Sequence, residues 1–481
     1  MEFKTKLFSF LLFAILLYGC QIDDATSPEP GETFVKYFGD DGVQAGSGLL
    51  YLEELDEIIV YGTQLTTDDG ASRNVVFLRL DADGNEINKR IINFGQSEDN
   101  PVLTEGAGDD TPGALKYEPE VGFIYVGTST RADTILGGTF NALVWAVLDD
   151  EFNIAGDSTY VGEVLPIIFT DDGDSVVSKF KDTQGNDVIL SEGDLWVVGS
   201  STLLQAGDEI DSDDDGEDDT NEDATQIYIA QIDYDAADSL RVLRERTRGF
   251  EGNDAGIYID EFSDNSFVII GNTEREAAEG VNVILLPTNR QLSPDDGLVV
   301  SWPIGSTTNF NDIATHVFKR SSGYVVVGSS VFGGFNVTLG EIYPFFVNIS
   351  YGGSGNAVAE QADTVSVLAD VDGDGPETTT ALATAGALGV TLGDNGNYFL
   401  VGTIPQYPGK NAEILVMQTN QQGTSISGSV RNYGLTLGND VANDIVTLND
   451  GSLLVLTTVD FGSGNTLMGL LKINSQGDLM D

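Results

Sequence analysis

One short stretch of the sequence has residue types and spacing that could bind a metal ion: DSDDDGEDDTNED, at residues 211–223. Counted from Asp211 as the first position, carboxylates fall at positions one, three, five, seven, nine and twelve, with Gly216 at position six. Alternate residues can direct oxygens at one cation while the glycine permits a sharp turn. Oxygen ligands without nitrogen or sulfur favour Ca²⁺. The candidate ligands are Asp211, Asp213, Asp215, Glu217, Asp219 and Glu222.

This spacing is the full EF-hand loop pattern, D-x-[DN]-x-[DN]-G-x₅-E. Glu217 would supply its backbone carbonyl, Asp219 a direct or water-mediated contact, and Glu222 a bidentate carboxylate. Acidic positions match easily by chance in so acidic a run, so Gly216 and Glu222 are the discriminating matches. No helical pattern flanks the stretch, which indicates a free-standing calcium loop. The alternative is a solvated acidic loop.

A second candidate calcium loop, DVDGDGPE, keeps only the first half of that pattern. Ala381 stands where the final Glu is expected, although Glu377 could substitute for it. Its candidate ligands are Asp370, Asp372 and Asp374. The similar DADGN at 81–85 is interpreted as a turn, because an Asp-Gly pair suits one.

The N-terminus is typical of a secreted lipoprotein. Lys4 and Lys6 precede an apolar run at 7–17, which is too short for a permanent membrane span and is flanked as in a signal peptide. The tetrapeptide LYGC, which ends at Cys20, resembles a bacterial lipobox. In that family the peptide, here 1–19, is removed and the cysteine is acylated. The alternative is an ordinary secretory peptide with a chance cysteine.

Residues 20–32 read as a polar, acidic tether that contains proline. Asp23 and Asp24, just behind Cys20, resemble the acidic export signal of Bacteroidota surface lipoproteins. That resemblance implies a domain attached to the outer membrane through the lipid alone and exposed at the cell surface. Cys20 is the only cysteine, so an intramolecular disulfide is excluded.

The composition excludes several classes of partner. With 77 acidic and 22 basic residues the net charge is −55, which repels nucleic acid and anionic lipid and attracts cations. No glycine-rich phosphate loop precedes a helix, so nucleotide binding is not expected. Global disorder is excluded because 41% of residues are hydrophobic and they are patterned.

An apolar run that ends in Gly or Thr recurs seven times, as in IIVYGT at 58–63 and WVVGSS at 196–201. Successive copies lie 55 to 74 residues apart, which indicates a repeat architecture. Each unit reads as four strands with a tight polar turn after the first. The equivalent residues are Gly62, Gly127, Gly199, Gly271, Gly328, Gly402 and Thr457.

Four strands per unit, seven units and no helical pattern predict an all-β fold, a seven-bladed β-propeller over 33–481. The seventh unit ends after its third strand, and the missing strand is TFVKYFG at 33–39, which would close the ring. An extended β-sandwich array would not need that strand. The units resemble bacterial extracellular propeller repeats, in which an apolar strand ending VVGT precedes one ending KLDxxGN. The resemblance implies the fold and is nearly silent on activity.

The long acidic segments should all emerge on one face of the ring. The 211–223 loop joins the second and third strands of the third unit, and 370–377 joins the fifth unit to the sixth. In a four-stranded meander both kinds of connection emerge on the same face. The acidic segments 65–72, 95–110 and 170–174 should emerge there too. Binding function belongs with such loops.

The sequence carries no recognisable catalytic constellation. His316, the only histidine, lies in an alternating strand, where a packing or hydrogen-bonding role is expected. The chain is therefore interpreted as a lipid-anchored surface propeller whose Ca²⁺-ordered acidic loops engage a glycan or protein partner. One alternative is an extracellular polysaccharide hydrolase or lyase that uses carboxylates. Another is an envelope structural protein whose acidity is an adaptation to salt.

Overall fold

The computed structural model describes residues 33–39, 42–66, 72–94, 108–132, 139–154, 161–164, 168–170, 175–177, 180–203, 224–234, 242–249, 252–263, 266–274, 280–292, 300–302, 310–332, 341–351, 357–364, 386–404 and 411–479. These residues form seven four-stranded antiparallel sheets and one two-stranded hairpin. They contain no helix, and therefore none that could cross a membrane. The predicted seven-bladed propeller is confirmed.

Six blades are continuous in sequence, after a first strand β1 at Phe34–Phe38. Blade 1 is β2 (Gln44–Leu52), β3 (Glu57–Thr66), β4 (Ser72–Asp81) and β5 (Glu86–Ile92). Blade 2 is β6 (Asp110–Glu118), β7 (Gly122–Ala132), β8 (Thr139–Leu148) and β9 (Val161–Val164). The hairpin follows, as β10 (Ile168–Thr170) and β11 (Ser175–Val177). Blade 3 is β12 (Phe180–Ser191), β13 (Asp194–Leu203), β14 (Thr225–Ile232) and β15 (Val242–Arg248).

The second half of the chain repeats the arrangement. Blade 4 is β16 (Asp254–Ser263), β17 (Ser266–Thr273), β18 (Asn282–Asn289) and β19 (Val300–Trp302). Blade 5 is β20 (Phe310–Arg320), β21 (Gly323–Phe332), β22 (Glu341–Tyr351) and β23 (Ala357–Thr364). Blade 6 is β24 (Gly386–Leu392), β25 (Tyr398–Ile404), β26 (Glu413–Thr419) and β27 (Arg431–Tyr433). Blade 7 has β28 (Val441–Thr447), β29 (Leu453–Asp460) and β30 (Thr466–Ile473).

The N-terminal strand β1 completes blade 7, as the sequence predicts. It pairs antiparallel with β30, from Phe34 opposite Lys472 to Phe38 opposite Met468. Lys36 lies beside the turn between β4 and β5, where its ammonium donates to Asn85 Oδ1 at 2.7 Å. The two ends of the chain therefore share one sheet, and the last blade has no open outer edge on β30.

The apolar second strands are buried on both faces because each blade is packed between two others. Seven clusters of buried side chains fill the seven spaces between neighbouring blades. The space between blades 7 and 1 is filled in the same way, with Phe38 and Leu456 against Leu49 and Val60. Continuous apolar runs such as IIVYG follow from this two-sided burial. A sheet with one solvent-exposed face would show alternating apolar and polar residues instead.

The repeated glycine lies opposite a bulge in the first strand of its blade. Gly62 pairs with Gly46 and Gly199 with Gly185, and in each case one extra residue follows on the inner strand. A Cβ on Gly62 would lie 2.1 Å from the carbonyl oxygen of Ala45, so the close approach in blade 1 requires glycine, whereas Thr457 lies opposite the bulge of blade 7. Seven such bulges bend the inner strands around the ring axis.

Two faces of the ring are distinguished by their connections. The short-turn face carries the turns between strands one and two, such as 53–56, and the connections between strands three and four, which range from the tight turn at 82–85 to the longer segments 149–160 and 420–430. At 82–85 the carboxylate of Asp81 accepts from the backbone N–H of Asp83 and Asn85 at 3.0 and 2.7 Å, so the predicted turn is confirmed. The long-loop face carries the other connections.

One element of the long-loop face was not predicted from the sequence. The sequence predicts 170–174 only as one of the long acidic connections of this face, whereas β10 and β11, on either side of 171–174, pair from Ile168 opposite Val177 to Thr170 opposite Ser175. In the sequence, apolar and β-branched residues flank Asp-Asp-Gly-Asp, which is a hairpin pattern. The acidity of 171–174 hid that pattern in the sequence.

Candidate functional site

The residues predicted to bind calcium or lipid lie outside the described residues. This applies to Cys20, to the loop 211–223 and to the segment 370–377. Their flanking strands are described, and β13 to β14 and β23 to β24 are both long-loop connections, as the sequence predicts. Within the described ranges, no three His, Cys, Asp or Glu side chains are grouped to hold a metal ion.

The described part of the molecule has its own cluster of charged groups, at the ring axis. The residue that follows the bulge on each inner strand occupies an equivalent position in all seven blades. Polar or ionisable side chains stand there in four blades, while small residues in the other three leave space. In blade order the seven residues are Gly48, Ala114, Asp187, Tyr258, His316, Gly389 and Asp444.

Asp187 joins three consecutive blades. Its Oδ2 accepts from the backbone N–H of Ile259 in blade 4 at 3.0 Å. Its Oδ1 lies 3.0 Å from the ammonium of Lys116 in blade 2. The same ammonium lies 5.5 Å from the ring centre of Tyr258, within cation–π range. Asp187 is only 3% exposed, and its charge is compensated by the amide of Ile259 and by Lys116, whose side chain is 35% exposed.

Asp444 has the equivalent role where blade 7 meets blade 1. Its Oδ2 accepts from the backbone N–H of Leu49 at 2.9 Å, and Oδ1 accepts from Ile445 at 2.8 Å. His316 Nδ1 lies 3.9 Å from Oδ1. Burial raises the pKa of Asp444, and the neighbouring His316 and the two amides oppose that rise.

The two carboxylates belong to one electrostatic cluster because both act on Tyr61. Burial raises the pKa of the Tyr61 phenol, and the charges of Asp444 and then Asp187 raise it further. The phenol occupies the space left by Gly48, where a Cβ would lie 2.3 Å from its oxygen. The axis therefore holds two buried carboxylates, a lysine, a histidine and a neutral phenol.

The hydrogen bonds of this cluster indicate what it can do chemically. A general acid or base needs an oxygen directed at a substrate. Both oxygens of Asp187 and both oxygens of Asp444 are engaged by backbone amides or by a cation of a neighbouring blade. The arrangement braces blades against one another at the axis.

A cavity opens beside this cluster at the short-turn face, with a volume of about 490 Å³. That volume is in the range of small-molecule sites. Its walls come from the ends of four inner strands, in blades 2 to 5. The lining residues are Glu118, Ile189, Leu190, Asp260, Glu261, Phe262 and Lys319.

Two of the three carboxylates in the cavity wall already have cationic partners. Asp260 accepts from Lys319 Nζ at 2.7 Å and from the Tyr324 hydroxyl at 2.6 Å. Glu261 lies 2.5 Å from the Arg290 guanidinium. Arg290 is itself held over the ring of Phe267, at 5.1 Å from the ring centre. The cavity therefore has a fixed acidic wall with one lysine at its rim.

The sequence interpretation missed both the axial cluster and the cavity. It placed His316 correctly on a strand, but the contact with Asp444 spans 128 residues of chain, so no local pattern reveals it. One signal was available: the doublet Asn-Asp occurs at the same bulge in blades 3 and 7, as Asn186–Asp187 and Asn443–Asp444. The cavity has no comparable signal, because its walls come from four separate units.

Comparison with known proteins gives a likeness in architecture alone. No family model and no curated protein matches the chain. A protein of unknown function from Dyadobacter fermentans is 11% identical, with a TM-score of 0.43 over 92% of this chain and 99% of that one. Extracellular domains 1–2 of Drosophila semaphorin 1a are 10% identical, with a TM-score of 0.44 over 92% and 88%. The β-propeller domain of the Trilobed protease from Pyrococcus furiosus is 9% identical, with a TM-score of 0.40 over 92% and 97%.

Proposed function

We propose that this protein is a binding module displayed on a bacterial outer membrane through a lipid on Cys20. Its long-loop face, ordered by Ca²⁺, engages a glycan or a protein partner, and the ring acts as a rigid scaffold without catalysis. The observation that carries this proposal is the direction in which β1 enters the ring.

The strand β1 begins at the short-turn face. Phe34 pairs with Lys472 near the end of β30, and Lys36 contacts the turn between β4 and β5. The preceding chain therefore leaves the ring on that face. With Cys20 acylated, a tether of residues 20–32 spans roughly 20 Å on average by random-coil scaling. The short-turn face is then directed towards the membrane and the long-loop face away from it.

Calcium fits the chemistry of the 211–223 loop and the charge of the molecule. Six of its residues carry oxygen ligands in calcium-loop spacing, and the net charge of −55 favours cations throughout. The loop joins β13 to β14 on the long-loop face, between two well-packed strands. An ion there would hold its carboxylates together against mutual repulsion and fix the shape of a contact surface.

The binding role is favoured over carboxylate catalysis by the hydrogen bonds at the axis. Asp187 and Asp444 each serve a backbone amide of the next blade, so their oxygens are used in holding the ring. A polysaccharide hydrolase or lyase that used these two carboxylates would need their oxygens free. The proposal would be overturned if the protein cleaved an extracellular polysaccharide and a single carboxylate substitution abolished that cleavage.

Acylation tests the anchor directly. The full chain is expressed in a bacterium that processes lipoproteins and is given a radiolabelled fatty acid. We expect label in the wild type and none in Cys20→Ser, which removes the only thiol without touching the ring. A wild type without label, or release of both proteins into the medium in equal amounts, would contradict a lipid-anchored module.

A further inference from the structure

We infer that the cavity at the short-turn face binds an organic cation, a primary ammonium or guanidinium carried on an apolar stem. This is a second site, on the opposite face from the acidic loops, and it does not depend on the proposed lipid anchor or on calcium.

The cavity wall carries negative charge that a ligand could neutralise. Glu118 lies at the end of β6, and within the described residues the structure gives it no ion pair, whereas Asp260 and Glu261 each have one. The wall therefore carries at least one negative charge that no side chain of the described chain neutralises. A bound cation would supply that charge, because charge-assisted hydrogen bonds are the strong ones.

Part of the cavity lining is apolar. Ile189 and Leu190 line the cavity where β12 ends, although their side chains pack into the cores on opposite sides of blade 3, and Phe262, which is 42% exposed, lies at the opening. The exposed aromatic ring of Phe262 suits an alkyl stem, and an aromatic face attracts a cation. A bare metal ion would leave this surface unused, so the lining favours an organic cation.

A lysine lies at the rim of the cavity. Lys319 is 57% exposed along its side chain, and its ammonium lies 2.7 Å from Asp260 Oδ1. Its side chain has a long apolar stem and a terminal cation, which is the chemistry proposed for the ligand, and it reaches the cavity wall from blade 5. Lys319 thus occupies part of the site that a ligand cation would use and competes with it for Asp260.

The test uses the full chain in a non-ionic detergent at about 0.15 M salt, where exposed charges are screened beyond roughly 8 Å. Titration calorimetry measures the binding of cadaverine, with pentanol of matched length as the uncharged control. We expect saturable binding of cadaverine at one site and none of pentanol.

A second titration uses an acetylated, amidated peptide with a single lysine. Binding of cadaverine alone identifies a free small molecule as the occupant, and binding of the peptide identifies a side chain of a protein partner.

Matched variants separate this site from the general acidity of the molecule. Glu118→Gln should weaken cadaverine binding by about tenfold, since it removes a charged hydrogen-bond acceptor. Glu120→Gln, in the same turn but outside the cavity, should leave binding unchanged. Lys319→Gln should tighten binding, because it frees Asp260 for the ligand. Equal effects of Glu118→Gln and Glu120→Gln, or loss of binding in Lys319→Gln, would overturn the inference, as would no binding of cadaverine or of the peptide to the wild type.

Discussion

His316 contacts Asp444 across an entire blade. His316 lies in blade 5 and Asp444 in blade 7, yet Nδ1 of the histidine is 3.9 Å from Oδ1 of the carboxylate. Gly389 of blade 6 lies between them, and a Cβ there would be 3.1 Å from both the Cα and Oδ1 of Asp444. The contact therefore depends on the absence of a side chain at one position of the intervening inner strand.

Gly389→Ala tests that dependence. The added methyl group would lie 3.1 Å from both the Cα and the carboxylate Oδ1 of the buried Asp444, so the free energy of unfolding should fall by about 1–3 kcal/mol. Chemical denaturation measures the change. Gly434→Ala is the control, because a Cβ there has its nearest neighbour, the side chain of Glu413, at an ordinary 3.6 Å. Equal stability of the two variants would show that the axis can accommodate the methyl group.

Asp444→Asn should also destabilise the ring, although it is nearly isosteric. Both carboxylate oxygens accept backbone N–H groups, of Leu49 and Ile445, and an amide NH₂ would oppose one of these donors. An unsatisfied buried donor costs about 1–3 kcal/mol. The measurement is the denaturation midpoint at pH 7. A midpoint equal to that of the wild type would contradict the bracing role assigned to this side chain.

The pH dependence of stability should depend partly on Asp110. This side chain is fully buried, and burial raises its pKa to about 7, although Phe94 donates its N–H to Oδ2 at 3.0 Å. Because the folded pKa lies above the ordinary value of 3.8, the folded state binds more protons than the unfolded state between these values. The stability that Asp110 contributes is therefore complete below about pH 4 and is lost as the pH rises through about 7.

Asp110→Asn should remove that part of the pH dependence, so its stability relative to wild type rises between pH 4 and pH 8. Melting temperatures across this range measure the effect. Asp109→Asn changes the adjacent carboxylate, which is half exposed, and should leave the slope as it is in the wild type. An unchanged slope in Asp110→Asn would assign the pH dependence to other groups.

Deleting β1 should open the ring. A chain lacking 20–38 loses the buried side chain of Phe38, which contributes about 2–3 kcal/mol, and the ladder hydrogen bonds to β30 at about 1 kcal/mol each. It also exposes β30 as an edge. We expect a lower melting temperature and concentration-dependent association in sedimentation. A chain lacking only 20–32 is the control and should melt like the wild type.

Calcium should stabilise the protein through the 211–223 loop. At a concentration 100 times the dissociation constant, one site adds about 2.7 kcal/mol to the free energy of unfolding. The melting temperature is compared with calcium and with a chelator. Asp213→Asn, at the third loop position, should lose most of the shift, whereas Asp214→Asn, at the fourth, should keep it. A shift that is absent in the wild type would contradict the calcium proposal and leave adaptation to salt as the explanation of the acidity.

The blades were predictable from sequence because their determinants are local. Gly62 and its equivalents, the turn around Asp81 and the unpaired strand ahead of Gly39 can each be identified within about ten residues. The axial contacts could not be predicted in this way, because Asp187 meets Ile259 across 72 residues and Asp444 meets Leu49 across 395. Only the closed ring brings such positions together, and in a chain with 77 acidic residues no single carboxylate stands out.

The orientation of the ring on a membrane tests the account most directly. With Cys20 acylated, a cysteine introduced at Leu437, which is 96% exposed on the long-loop face, or at Gln476, exposed on the short-turn face beside β1, becomes the only free thiol. Each variant is labelled with a fluorophore at its introduced cysteine, and its fluorescence is measured on vesicles whose lipid headgroups carry a quencher. The two positions are separated by about the length of a blade strand, roughly 30 Å. The account predicts strong quenching at position 476 and weak quenching at 437. The reverse order, or no quenching at either position, would contradict it.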